Sequence, residues 1–170
     1  MIVNLQRKVK LEARGYAGFL AGALAAIEEA EGGEAAVAFV SDRRMRELNK
    51  LFRGKDATTD VLSFPHEPDD FEAQSASFSR PDAEVLSPGL SRPEADVRPP
   101  KGGTPNFLGD IVISAEQAAR QAAAARLPLE LEIKQLILHG LLHLCGYDHE
   151  TDTGEMNARE LALRNKLAIE

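Results

Sequence analysis

The stretch His139-Gly140-Leu141-Leu142-His143-Leu144-Cys145-Gly146-Tyr147-Asp148-His149 decides how this chain is read. It holds three of the four histidines of the 170-residue sequence. Leu136, Ile137, Leu138, Leu141, Leu142 and Leu144 crowd the first two, so a largely buried helix is expected over 128–145. His139 and His143 stand at i and i+4, which puts both imidazoles on one face with Cβ atoms about 5–6 Å apart. Zinc bonds histidine nitrogen at roughly 2.0–2.1 Å, so two such rings can converge on one ion. Gly146 can adopt the left-handed conformation and turn the chain sharply, which can bring His149 back towards the pair. Three histidines leave a fourth position open for water, as in a catalytic zinc centre. One histidine on an apolar face would be an ordinary core residue. Three buried imidazoles need partners, and a shared metal supplies one. The expectation is one Zn2+ per chain on His139, His143 and His149, with Cys145 off their face as a core residue.

The spacing matches H-E-x-x-H-x-x-G-x-x-H, the pattern of the metzincin proteases. One position differs and bears on the chemistry. The glutamate that serves those proteases as general base is Gly140 here, so a peptidase mechanism of that kind lacks its proton acceptor.

Working outward, a short strand is expected at 1–5 and a helix at 8–30, ended by Gly32-Gly33. The apolar run 16–27 recurs with helical period and reads as one face of a helix, not as a secretory leader. Residues 35–40 have strand character. Ser41 or Asp42 caps a helix carrying Met45, Leu48, Leu51 and Phe52, and Gly54 stops it. A strand follows at 61–64, closed by Pro65. From 67 to 105 there are seven prolines, much serine and no sustained periodicity, which reads as a low-complexity, disordered surface insertion. Order returns with a strand at 107–114. Ser114 then opens an Ala-rich helix with a capping box, Pro128 begins the histidine helix, and a last helix spans 153–168. Helices and strands in this order indicate one α+β domain over 1–170 with a small mixed sheet and about five helices.

Composition narrows the function classes. The single cysteine excludes an internal disulfide and suits a reducing cytoplasm. No apolar run reaches the roughly 18–20 residues of a membrane-spanning helix. The net charge of −7 argues against bulk attraction to nucleic acid, yet residues 41–55 hold six basic side chains against two acidic ones. A local cationic surface is compatible with that balance.

The histidine segment resembles H-G-x-L-H-L-x-G-Y-D-H of the YbeY family, the bacterial metal-dependent endoribonucleases of ribosomal RNA maturation. Two other stretches agree, in the same order. One is Leu48-Asn49-Lys50-Leu51-Phe52-Arg53-Gly54-Lys55-Asp56 with Thr59-Asp60-Val61-Leu62-Ser63-Phe64-Pro65. The other is Leu108-Gly109-Asp110-Ile111-Val112-Ile113-Ser114. The likeness spans 1–65 and 107–168; the insertion departs from it, and nothing functional carries onto that segment. The resemblance implies a zincin-like fold, zinc on His139, His143 and His149, and single-stranded RNA as substrate. It places the family's arginine on Arg53, where a guanidinium at a helix end can clamp phosphate oxygens.

The reading is therefore a cytoplasmic, zinc-dependent, single-strand-specific endoribonuclease. Its expected task is 16S rRNA 3′-end maturation and ribosome quality control, with the small ribosomal subunit as partner. Arg53 would steady charge on the phosphate. The base is open between zinc-activated water, Asp148 and the 2′-hydroxyl of the RNA, and Asp148 fits a turn role equally well. Asp110 reads as a turn or strand-end residue, with a place lining the cleft from the strand as the alternative, and His66 as solvent-exposed. The rival readings are a non-catalytic, metal-stabilised ribosome-assembly or RNA-binding factor and a metallohydrolase of another substrate.

Overall fold

A computed structural model describes residues 1–30, 32–66, 107–147 and 154–169. The strands are β1 (Ile2–Asn4), β2 (Glu34–Val40), β3 (Val61–Pro65) and β4 (Phe107–Ser114). The helices are α1 (Ala17–Ala26), α2 (Asp42–Arg53), α3 (Ala115–Ala125), α4 (Leu129–Leu144) and α5 (Glu155–Leu167). The described residues thus form the expected α+β fold, a mixed sheet in the order β1-β2-β4-β3 with five helices. β1, β2 and β4 run parallel, and β3 joins β4 antiparallel at the sheet edge. The insertion read at 67–105, together with Asp148 and His149, lies outside the described residues.

The sheet is apolar on both faces. Ile111 and Ile113 of β4 are fully buried in the main core, with Phe39 of β2 and Ile133, Ile137, Leu138, Leu141 and Leu142 of α4. Each such side chain contributes roughly 1.5–3 kcal/mol by leaving water. Alternation along β4 turns Val112 to the other face, where α2 packs with Met45 and Leu48 buried. α4 carries buried residues around most of its circumference and touches α1, α3, α5, β3 and β4. Its position is central, as the near-continuous apolar run around the histidines requires.

The first helix is shorter than its sequence pattern. The helix proper covers Ala17–Ala26, flanked by 3₁₀ turns at Ala13–Tyr16 and Glu28–Ala30. Upstream, the buried Gln6 side chain ties down a loop: its amide donates to Asn4 Oδ1 and Val9 O, and its oxygen accepts from Val9 N. Those local bonds compete with a helix starting at residue 8.

Caps follow the sequence closely. Ser41 Oγ accepts from Arg44 N at the start of α2, and Gly54 ends that helix in the left-handed region at φ +68°. Ser114 Oγ accepts from Gln117 N, but the Gln117 side chain accepts from Arg120 instead of reaching back, so half of the capping box forms. Pro128 precedes the first turn of α4, whose Glu130 and Glu132 suit the positive end of the helix dipole.

Asp42 joins three elements. Its Oδ1 accepts from Ser114 Oγ at 2.5 Å and its Oδ2 from Arg120 at 2.6 Å. Partial burial works against the charge, but the Ser114 and Arg120 hydrogen bonds outweigh it and hold the carboxyl below its ordinary value. A folded value below the unfolded one adds stability that is complete above the unfolded value and lost as pH falls through the folded one. Asp42→Asn is therefore expected to cost about 1–2 kcal/mol at neutral pH. The gap to wild type should close as the medium is acidified below the carboxylate range. Thermal unfolding of both proteins between neutral and acidic pH checks this, and a gap that does not change with pH contradicts it.

Candidate metal centre and cleft

α4 presents His139 and His143 one turn apart, as the i, i+4 spacing requires. Their Nε2 atoms lie 3.2 Å from each other and the rings meet at 76°. Two ligands at about 2.05 Å on a tetrahedral ion are separated by roughly 3.3–3.4 Å. The observed spacing fits that geometry, and it also suits a single N–H···N hydrogen bond.

The other nitrogen of His139 adds an independent observation. Nδ1 is 3.0 Å from Glu160 Oε2 on α5. Glu160 is buried, and burial alone would raise its pKa. The hydrogen bond from His139 and the charge of Arg164, which also donates to its other oxygen, prevail and hold it ionised below its ordinary value. A carboxylate at Nδ1 holds the proton there and leaves the Nε2 lone pair for a metal, the usual outer partner of a metal-binding histidine. Nothing in the sequence pattern singled out Glu160. It is 21 positions from His139, and its Arg164 partner at i+4 looks like any surface helix pair.

After His143 the chain turns as expected. Gly146 has φ +91°, Gly146 N donates to His143 O and Tyr147 N to Leu142 O, which is a Schellman closure of α4. Tyr147 is then tied down by donating to Glu29 Oε1 at 2.6 Å, while Arg159 donates to the other oxygen of Glu29. Cys145 is half-buried against the core, and burial, with Glu29 second, pushes its thiol up. Among the described residues no group of three His, Cys, Asp or Glu side chains converges on one point. The third predicted ligand, His149, and the candidate base, Asp148, lie outside them.

Gly140 has a packing role. A Cβ there would sit 2.7 Å from Ile111 Cγ2, so the glycine lets α4 approach β4. Ser63 Oγ of β3 donates to Gly140 O at 3.2 Å in the same contact. The direction in which a side chain at this position would leave the helix is thus filled by the sheet.

The two histidines open into a cleft of about 760 Å³ that follows the edge strand. It is lined by the segment 59–65, by His139, His143, Gly146 and Tyr147, and by Phe52 and Arg53. Arg53 is the last residue of α2 and is exposed. The structure therefore brings Arg53 and two predicted ligands to one cavity from segments 86 positions apart or more. Along β3, the bonds Ser114 N to Asp60 O and His66 N to Leu108 O set the pairing parity, which turns the backbone of 61, 63 and 65 outward. That edge is blunted: Val61 N donates to Asp60 Oδ1, and Pro65 has no N–H. Asp110, exposed on β4, is not among the cleft residues, and His66 is exposed but stacks edge-on against Phe107.

Known proteins resemble this chain over most of its length. The family model described as Endoribonuclease YbeY matches residues 1–168. A protein named Endoribonuclease YbeY from Clostridioides difficile is 38% identical over 138 residues, 80% of this chain and 72% of that protein. One of the same name from Nautilia profundicola is 40% identical over 128 residues, 75% and 68% of the two chains. The solution structure of TM1509 from Thermotoga maritima superposes with a TM-score of 0.54 at 24% identity, covering 98% of this chain and 89% of that one, and supports the fold. With a family match over nearly its whole length, and with the histidine pair, Arg53 and edge-strand cleft in the order of that family's motifs, this chain belongs to the YbeY family of endoribonucleases.

Proposed function

We propose that the protein is a zinc-dependent, single-strand-specific endoribonuclease acting in the cytoplasm on 16S rRNA 3′-end maturation and ribosome quality control, on the small ribosomal subunit. The observation that carries the metal is the pair of Nε2 atoms 3.2 Å apart with Glu160 on the far nitrogen of one of them. In this reading His139, His143 and His149 hold one zinc per chain, in a single domain spanning 1–170 whose 67–105 segment is an insertion. Zinc, when bound, supplies Lewis acidity and a more acidic water. Arg53 orients the scissile phosphate and offsets the charge that grows on it. Asp148 is the side chain proposed to accept a proton. Glu160 is a positioning residue that fixes the His139 ring.

The test is incubation of pure protein, with and without chelator, on single-stranded RNA, duplex RNA and casein. Metal-dependent cutting of single-stranded RNA alone is the expected result. Binding without turnover would favour a metal-stabilised assembly factor, and casein cleavage a hydrolase of another substrate. Arg53→Ala is expected to slow RNA cleavage about 100-fold, the scale of losing one charge-stabilising donor, with Tm and zinc content nearly unchanged. Unaltered cleavage by the folded variant would return Arg53 to an ordinary helix-end residue.

A further inference from the structure

We propose that Phe52 is a stacking platform for one unpaired base of the RNA, and that this ring supplies the preference for single strands; the inference rests on the endoribonuclease reading above. The apolar stripe of α2 runs Met45, Leu48, Phe52 on one face. The first two are 0% and 2% exposed, yet Phe52 is 47% exposed. At its last turn the helix carries the stripe past the core and into the cleft wall. The ring is braced there: Phe64 of β3 meets it edge to face, with centroids 4.9 Å apart at 65°. A braced aromatic surface open to a cavity loses little freedom when a flat group is laid on it.

The occupant follows from the neighbours. Arg53 is the next residue and lines the same cleft, as do His139 and His143. A chain that alternates anionic groups with flat apolar ones matches a cation beside an aromatic ring, and RNA is such a chain. Every base has a π-face, so stacking tolerates any sequence. A base held inside a duplex has both faces covered and cannot reach the ring. An apolar peptide side chain could also contact Phe52 but gives no use for the adjoining guanidinium and imidazoles.

The chain contains no tryptophan, so Phe52→Trp introduces its only indole at the site, which is excited selectively over the two tyrosines. Zinc-loaded variant is titrated with a short unstructured RNA, an abasic oligomer of equal length and a duplex, and read before turnover. Quenching by the base-bearing single strand alone is expected. Phe52→Leu, which keeps an apolar contact for Phe64 but has no ring face, should weaken binding of the base-bearing strand roughly 5- to 100-fold and leave abasic binding unchanged. Binding without quenching, equal weakening for both oligomers, or quenching by an unstructured peptide in place of RNA each overturns the stacking role. If wild type binds base-bearing and abasic strands equally, stacking alone fails. If it binds neither, the endoribonuclease reading fails with it.

Discussion

His143→Ala is expected to leave the protein without stoichiometric zinc and to lower its Tm by about 10 °C in zinc-containing buffer. A ligand that binds the native state alone adds about 4 kcal/mol when present at a thousand times its dissociation constant. For a chain of this size each kcal/mol moves Tm by roughly 2–4 °C. The histidine pair is set in one turn of a helix whose other faces are buried, so the site is organised before an ion arrives. Removing one ring therefore removes a proposed ligand without disturbing the core. Chelator should bring wild type down to the Tm of the variant and leave the variant unmoved. Glu160→Gln, which keeps the shape but loses the charge facing His139 Nδ1, should weaken zinc about 10- to 100-fold without abolishing it. Full zinc occupancy in His143→Ala, measured by elemental analysis, would remove His143 from the ligand set.

Gly140→Glu is expected to disrupt the fold and to create no peptidase. The protease pattern invites this substitution, because glutamate in that position would restore the missing base. The tertiary contact opposes it. Even the first carbon of the side chain would meet Ile111 Cγ2 at 2.7 Å and Cδ1 at 3.1 Å. In an open helix, glycine to alanine stabilises by about 0.5–1 kcal/mol. Here Gly140→Ala should instead cost about 1–3 kcal/mol through overpacking, and glutamate adds an unpartnered carboxylate driven towards the sheet. In a double-mutant cycle, Ile111→Ala should absorb much of the alanine penalty and give a favourable coupling of about 1–2 kcal/mol. A rise in Tm for Gly140→Ala would show that the helix can shift freely, and casein cleavage by Gly140→Glu would show that the carboxylate finds the site.

Much of this protein was legible in its residues alone. The i, i+4 histidines, the glycine turns at Gly54 and Gly146, the serine caps and the strands at β2, β3 and β4 are local facts, set by rotation per residue and by which side chains tolerate which backbone angles. The same locality explains the overlong first helix, since periodicity did not register that buried Gln6 would bind its neighbours' backbone instead. What only the tertiary structure decided are the meetings between distant segments. Glu160 reaches His139 because α5 packs on α4. Gly140 is required by Ile111 of a strand nearly thirty residues earlier, whereas the sequence presented it only as an absent base. Phe52 and Leu48 carry the same apolar signal, yet one is core and the other cleft wall. The period of a helix tells which residues share a face, but where along that face the neighbouring element ends depends on how sheet and helices pack.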